Sequence, residues 1–162
     1  MRYAQWDRDI EEHPFALAAF VSRFWQRQNM ITNWEEIGPF EGEVLIVEND
    51  QTLRVLMVEI LEDIGAETVA FGSADDALIY LLQSKVQCCL VIVDYGVPGQ
   101  INGMDFIKMV RDKWPSIGSI LTSGYLFLPE SVPSPTLYLQ KPWAINDLVA
   151  SIKDLLQRTS SP

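Results

Sequence analysis

The chain has 162 residues, of which 48% are hydrophobic, and it carries a formal net charge of −10 at pH 7. This length fits one domain with an appendage. The negative charge argues against non-specific binding of nucleic acid, which needs a basic face. No apolar run approaches the roughly 20 residues of a membrane span. Neither nucleic acid nor a membrane is therefore an expected partner, and we expect a cytoplasmic protein.

Residues 1–42 differ in character from the rest of the chain, with three tryptophans and the only histidine, His13. Between Pro14 and about Ile31, side chains on one face recur at helical spacing. Residues 33–42 contain two glycines and a proline, as is typical of a linker. We predict a helical extension and linker over 1–42, whose aromatic face is a candidate surface for a homodimer or for docking. That face comprises Phe15, Leu17, Ala18, Val21, Phe24, Trp25 and Gln28.

From Glu43 onward, short apolar strands alternate with amphipathic helices. Such alternation predicts an α/β fold, a doubly wound five-stranded parallel sheet with helices on both faces. We assign residues 43–158 to this domain and 159–162 to a tail. The predicted elements, in chain order, are strand 44–47, helix 53–64, strand 67–71, helix 74–82, strand 89–94, helix 103–114, strand 119–122, strand 136–140 and helix 145–156.

One helix is missing from this alternation, between the fourth and fifth strands. The intervening residues 123–135 include Pro129, Pro133 and Pro135, and prolines prevent a regular helix of any length there. We therefore expect a loop or a single short turn, so that the fourth helix of the fold is degenerate or absent.

Polar residues follow four of the predicted strands. Glu48 and Asn49 follow the first strand, Asp94 ends the third, Thr122 ends the fourth and Lys141 follows the fifth. The carboxyl ends of parallel strands share one edge of a sheet, where open α/β sheets bind their ligands. Clustered oxygen donors suit Mg²⁺, and a lysine beside a hydroxyl suits a phosphoryl group. An aspartate can itself act as a nucleophile and form an acyl phosphate.

Four sequence pieces between about 43 and 156 resemble the receiver domain of two-component response regulators, of the CheY-like, flavodoxin-like type. They are VLIVEND, LVIVDYGVPGQINGMDF, ILTSGY and YLQKPW, in that order. The resemblance implies a domain that accepts a phosphoryl group from a histidine kinase or histidine phosphotransfer protein and then changes its contacts with a downstream protein. It implies no enzymatic activity other than self-phosphorylation and self-dephosphorylation. Because the chain ends soon after the last helix, we expect a stand-alone receiver.

The same resemblance assigns Asp94 as the phosphoacceptor and Glu48, Asn49, Asp94 and the Gly96 carbonyl as ligands of Mg²⁺. The family usually has an aspartate at the position of Asn49. An amide oxygen brings no charge, so weaker Mg²⁺ binding is expected, and Asp50 is expected to cap the first helix instead.

Three further roles follow from the resemblance. Thr122 is the switch hydroxyl, Lys141 is the lysine that contacts the phosphoryl group, and Tyr138 is the aromatic residue that changes rotamer on activation. In the family, the face that includes the fourth helix transmits the signal, so here the output is expected to run through a loop.

Two alternatives remain open from the sequence. The amide at Asn49 and the missing helix favour a pseudo-receiver, a protein interaction module that keeps the fold but works without phosphorylation. An aspartyl-phosphate hydrolase normally needs a second acid close after its nucleophile as general acid or base. Because Tyr95, Gly96 and Val97 supply no such acid, we rank that class lower.

Overall fold

The computed structural model describes residue 37 and residues 39–159, so His13, the predicted helix at 14–31 and residues 160–162 of the predicted 159–162 tail lie outside the described residues. Strands and helices alternate along the described chain. They are β1 (Glu43–Val47), α1 (Gln51–Asp63), β2 (Glu67–Phe71), α2 (Ala74–Gln83), β3 (Cys88–Asp94), α3 (Gly103–Lys113), β4 (Gly118–Ser123), a short 3₁₀ turn (Pro129–Ser131), β5 (Leu137–Gln140) and α4 (Ile145–Thr159).

The five strands form one sheet in the order β2-β1-β3-β4-β5, and every neighbouring pair is parallel. This confirms the predicted doubly wound α/β fold. The predicted elements also hold, with small shifts at their ends: β3 begins one residue earlier than expected, and α4 extends three residues further.

The core lies on both faces of the sheet, because neighbouring strand residues point to opposite sides. In β1, Leu45 and Val47 pack with α2 and α3, whereas Val44 and Ile46 pack with α1 and α4. All four are completely buried. A central strand covered on both faces has no position for a solvated side chain, which is why it forms a continuous apolar run.

Side-chain caps fix where the helices begin. The Asp50 carboxylate accepts a hydrogen bond from the Leu53 amide at 2.8 Å, as the sequence predicts, and so starts α1 directly after Glu48 and Asn49. Asn102 caps α3 in the same way. Gly103, the first residue of α3, lies so close to β3 that an added Cβ would sit 2.4 Å from the Asp94 carbonyl oxygen. None of the described helices has the length and apolarity to cross a membrane.

The connection between β4 and β5 contains a single 3₁₀ turn, Pro129–Ser131, in place of a helix. Backbone hydrogen bonds close it locally, from the Ser131 amide to the Leu128 carbonyl at 2.8 Å and from the Thr136 amide to the Pro133 carbonyl at 2.9 Å. The expectation of a short turn is therefore confirmed, because proline lacks the amide hydrogen that each helical position must donate.

Candidate functional site

The carboxyl edge of the sheet brings the predicted strand-end residues together. Asp94 on β3 is the register partner of Thr122 on β4, and the Tyr95 amide donates to the Thr122 carbonyl at 2.8 Å. The Lys141 amide donates to the Ser123 carbonyl at 2.7 Å. Backbone ladders thus hold the ends of β3, β4 and β5 in one fixed arrangement.

Lys141 is the centre of this site. Its Nζ lies 2.7 Å from Glu48 Oε2 and 3.1 Å from Asp94 Oδ1, so one ammonium group binds both acids. The Glu48 side chain is 3% exposed and that of Asp94 is 13% exposed. Burial acts against the charged ammonium, but hydrogen bonds and attraction from Glu48 and then Asp94 outweigh it and raise the pKa of Lys141 above its ordinary value.

Backbone contacts hold the segment after β1. The second oxygen of Glu48 accepts a hydrogen bond from the Asp50 amide at 3.0 Å. The Arg54 guanidinium donates to the backbone carbonyls of Glu48 and Asn49. The only sequence signal for this role of Arg54 is its position in the first turns of α1, within reach of the end of β1.

The predicted metal ligands supply oxygen atoms but little charge. Glu48 and Asp94 contribute two carboxylates, and the described residues contain no group of three or more acidic, histidine or cysteine side chains that could hold a metal ion. Asn49 is exposed. An added Cβ at Gly96 would lie 3.5 Å from Asp94 Oδ2, so glycine leaves that side of the carboxylate open.

Asp75, in the first turn of α2, anchors the loop after Asp94. Its carboxylate accepts hydrogen bonds from the backbone amides of Gln100 at 3.1 Å and Ile101 at 3.4 Å. The preceding residue, Gly99, has φ +116°, and a Cβ there would lie 2.1 Å from Asp75 Oδ2. This contact is not predictable from the sequence, because the residues are 25 and 26 positions apart and nothing local pairs them.

An aromatic cluster links the site to the β4–β5 connection. The Phe127 ring packs edge to face against Tyr95, with centroids 4.8 Å apart, and against Tyr138, with centroids 5.8 Å apart. The Tyr138 hydroxyl donates to the Tyr125 carbonyl, and the Tyr125 amide donates to Ser123 Oγ at 2.9 Å. Tyr125, together with Leu126 and Leu128, is largely exposed. The predicted switch residue Tyr138 is therefore tied directly to an exposed apolar loop.

A groove lies on the other side of Lys141, between α1 and the start of α4. Its volume is about 680 Å³ and its lining is mostly apolar. Leu53 and Leu56 form one wall, and Pro142, Trp143 and Ile145 form the other.

A doubly wound parallel sheet that gathers two acids, a buried threonine and a lysine at its carboxyl edge defines a class, the flavodoxin-like domains with an acidic site at the strand ends. The family model of the response regulator receiver domain matches residues 44–153. The chain belongs to this family, and so to the proteins of two-component signalling.

Curated relatives share the receiver region. The response regulator protein FleR of Pseudomonas aeruginosa is 33% identical over 116 residues, which cover 67% of this chain and 24% of that protein. The hydrogenase transcriptional regulatory protein HoxA of Cupriavidus necator is 25% identical over 122 residues, 72% of this chain and 24% of the relative. The chain thus spans about a quarter of the length of these two relatives.

Solved receiver structures have the same fold. A CheY-like receiver domain protein from Methanospirillum hungatei superimposes with a TM-score of 0.65 at 24% identity, over 72% of this chain and 94% of the other. The response regulator TrrA from Thermotoga maritima, solved in complex with Mg²⁺ and BeF, gives a TM-score of 0.61 at 24% identity, over 70% and 97%. The predicted family and fold are confirmed, and the individual roles of Asp94, Thr122, Lys141, Tyr138 and the metal ligands stay predictions.

Proposed function

We propose that Asp94 accepts a phosphoryl group from the phosphohistidine of a histidine kinase or histidine phosphotransfer protein. The observation that supports this most is the contact of Lys141 with Asp94, beside Thr122 in the neighbouring strand. A nucleophilic carboxylate, a cation and a hydroxyl within one cluster are the groups that phosphoryl transfer to an aspartate requires.

In the proposed reaction, the phosphoryl group passes from a nitrogen of the donor to an oxygen of Asp94. An oxygen of Asp94 attacks the phosphorus, a new O–P bond forms, and the P–N bond to the histidine of the donor breaks. The electron pair of that bond remains on the imidazole nitrogen, and the product is an aspartyl acyl phosphate. Lys141 offsets the negative charge of the phosphoryl oxygens, and Thr122 donates its hydroxyl hydrogen to one of them.

The oxygen donors of the site fit a Mg²⁺ ion. Because Asn49 is an amide, the donor set carries one negative charge fewer than it would with three carboxylates. We assign Glu48, Asp94, the Asn49 amide oxygen and the Gly96 carbonyl as its ligands. Mg²⁺ prefers such hard oxygen donors, and when bound it supplies positive charge next to the transferred phosphoryl group. The Lys141 ammonium already binds both acids, so we expect weak Mg²⁺ binding before phosphorylation.

Phosphorylation changes the surface through the β4–β5 connection. A phosphoryl group adds about −1.5 to −2 charges at Asp94, which attracts Thr122 and Lys141 inward. Because Ser123 follows Thr122 and binds the Tyr125 amide, such a movement is transmitted to the exposed Tyr125 and its neighbours. We propose that a downstream protein binds this loop and distinguishes its two states. We also propose that the chain works in the cytoplasm and has no enzymatic activity other than self-phosphorylation and self-dephosphorylation.

Intact mass after incubation with acetyl phosphate and Mg²⁺ tests this proposal. We expect a phosphoryl adduct on the wild-type chain and on Asp112→Asn, a control that changes a remote, exposed acid, and none on Asp94→Asn. An adduct that persists in folded Asp94→Asn contradicts the assignment. A folded wild-type chain that takes no phosphoryl group from acetyl phosphate or from a panel of histidine kinases favours the pseudo-receiver.

A further inference from the structure

The exposed large apolar side chains of the described residues fall into two groups, of which one belongs to the β4–β5 connection. The other group, which we call the α2 patch, lies on α2 and α3 and directly after α2. It comprises Ile79 (52% exposed), Leu82 (54%), Val86 (53%) and Met109 (42%). Clustered apolar side chains that stay in water are typical of an interaction surface.

The α2 side of the patch faces α3. Ile79 and Leu82 follow Asp75 by four and seven residues and therefore lie on the same side of α2 as that acid. The Asp75 carboxylate binds the backbone amides of Gln100 and Ile101, in the loop that leads into α3. This side of α2 is thus the one that borders α3, and the two helices contact each other.

The α3 side of the patch faces α2 in turn. Arg111 donates to the Ser134 carbonyl at 3.5 Å, so its flank of α3 borders the β4–β5 connection. Met109 is two residues earlier and lies nearly opposite to Arg111 on the helix. The patch therefore continues from α2 across the valley to α3.

Two exposed charges of opposite sign flank the apolar pair on α2. Asp76 is three residues before Ile79, and Lys85 is three residues after Leu82, just beyond the end of the helix. Among the described residues, no acidic side chain lies within ion-pair distance of Lys85. The patch thus has an acid at one end and an unpaired lysine at the other, at equal distances along the chain from its centre.

A second copy of α2 matches this pattern if it runs antiparallel to the first. With a two-fold axis between residues 80 and 81, Ile79 of one copy meets Leu82 of the other, and Asp76 meets Lys85. Because such an interface is isologous, each of these contacts occurs twice. A parallel arrangement would instead place the two Asp76 side chains side by side, and likewise the two lysines, so the charges favour the antiparallel one.

The charge balance around the patch also permits self-association. Residues 74–86 and 103–113 together contain four acidic and four basic side chains, whereas the whole chain has a net charge of −10. Two copies that approach through most other surfaces repel each other. At this face the net repulsion is absent.

We propose that the α2 patch is a surface through which two copies of this chain associate, with their α2 helices antiparallel and Asp76 of each copy paired with Lys85 of the other. The apolar area is small for a permanent interface, so the dimer is weak and reversible. The proposal goes beyond the proposed function, because the patch contains none of the strand-end residues and the pairing holds whether or not Asp94 is phosphorylated.

Sedimentation velocity of the full-length chain tests the association. We expect the average mass of the wild type to rise from monomer toward dimer between about 10 µM and about 1 mM. Leu82→Asp places a charge at the apolar centre and should weaken the dimer by at least about tenfold. Leu126→Asp, which adds the same charge to the exposed β4–β5 connection, is the control and should associate like the wild type.

Two results of this experiment would overturn the proposal, provided that urea unfolding shows each variant to be folded. A wild-type chain that stays monomeric over the whole range leaves the patch to a partner of different sequence. A Leu82→Asp variant that associates like the wild type assigns the dimer to another surface, residues 1–42 included.

Exchange of the two charges tests the antiparallel pairing. Lys85→Glu places an acid opposite Asp76, and Asp76→Lys places a lysine opposite Lys85, so each variant alone should associate less than the wild type. An equimolar mixture of the two variants can form a heterodimer in which both pairs have opposite charges. We expect the mixture to associate at least as strongly as the wild type.

A mixture that associates no more than its separate components contradicts the antiparallel pairing. Asp76 also accepts a hydrogen bond from the Ser73 hydroxyl, so Asp76→Lys changes the start of α2 as well as the interface. Lys85→Glu lies beyond the end of the helix, and its effect alone therefore separates the interface charge from the loss of that contact. Unchanged association of Lys85→Glu likewise contradicts the pairing.

Discussion

Asn49 gives the site an amide where the family resemblance implies a carboxylate. The structure leaves its side chain exposed next to Glu48, so a substitution there changes charge without disturbing the core. We expect Asn49→Asp to tighten Mg²⁺ binding on the order of tenfold, a change of about 1.4 kcal/mol, because a third negative charge joins the donor set. Fluorescence titration with Mg²⁺ measures this change.

Gln87→Glu is the control, because it adds the same charge far from the site and should leave the Mg²⁺ affinity unchanged. Equal Mg²⁺ affinities of wild type and Asn49→Asp would mean that residue 49 does not contact the ion.

Lys141 also stabilises the folded chain. The Glu48 side chain is nearly completely buried, and removing its cation leaves a buried charge without compensation. Such losses reach 3–5 kcal/mol at fully buried pairs. Because the Lys141 side chain is 25% exposed, we expect Lys141→Met to lower the free energy of unfolding by about 2 kcal/mol. Urea unfolding measures the change. Glu48→Gln in the Lys141→Met background should recover most of it, and an unrecovered loss would assign the effect to packing of the lysine stem.

The loop between β3 and α3 depends on α2 for its conformation. Asp75 accepts hydrogen bonds from Gln100 and Ile101, whereas Asp76, one residue later in the same helical turn, binds the Ser73 hydroxyl at 2.7 Å. Replacing either acid by alanine removes the same favourable charge from the helix N-terminus. In addition, the Asp75 variant loses the contact with the loop, whereas the Asp76 variant loses the contact with Ser73.

We expect Asp75→Ala to lower the free energy of unfolding by about 1–2 kcal/mol and to speed hydrogen exchange at the amides of Gln100 and Ile101. Because this loop carries Gly96, phosphorylation of Asp94 should also slow. Asp76→Ala should leave loop exchange unchanged. Exchange that is the same in the two variants would show that Asp75 does not hold the loop.

The β4–β5 connection forms no α-helix, but its aromatic side chains still contact residues of the candidate site and its surroundings. A helix would present one amphipathic face, whereas this segment exposes Leu126 and Leu128 directly and packs Phe127 between Tyr95 and Tyr138. Any movement of Tyr138 therefore acts on the segment through both its ring and its hydroxyl.

The stability of the whole molecule is expected to fall at alkaline pH. Burial raises the pKa of the Cys88 thiol to about 12 and that of Cys89 to about 11, from an ordinary value of 9. The hydrogen bond to Glu43, and then burial, raise the pKa of Tyr80. When the pKa of a group is higher in the folded state than in the unfolded state, the group stabilises the folded chain fully at pH values below the unfolded-state pKa. This contribution is lost as the pH rises through the folded-state pKa.

We therefore expect the free energy of unfolding to decline from pH 9 upward, by at most about 1.4 kcal/mol per pH unit for each thiol. Urea unfolding between pH 7 and pH 11 measures this decline. Cys88→Ala removes one of the ionising groups, so its stability should change less steeply with pH than that of the wild type, whatever its absolute stability. Parallel curves for the two proteins would contradict the assignment to the buried thiols.

Several features of the fold and the site follow from local sequence. The continuous apolar runs of β1 and β3 predict strands buried on both faces, and the prolines after β4 predict a turn in place of a helix. The edge of the sheet that carries Asp94, Thr122 and Lys141 is predictable as well, because a residue at the carboxyl end of a parallel strand has only one edge on which to lie.

The sequence alone determined the fold class, the family resemblance and the set of strand-end residues, because hydrophobic period, turn chemistry and the alternation of strands and helices along the chain are local properties. Only the tertiary structure decided which of these residues bind one another. Glu48 and Lys141 are 93 residues apart, and Asp75 reaches a loop on another element. Nothing local encodes such pairs, since they form only when the packed sheet brings the two side chains within hydrogen-bonding distance.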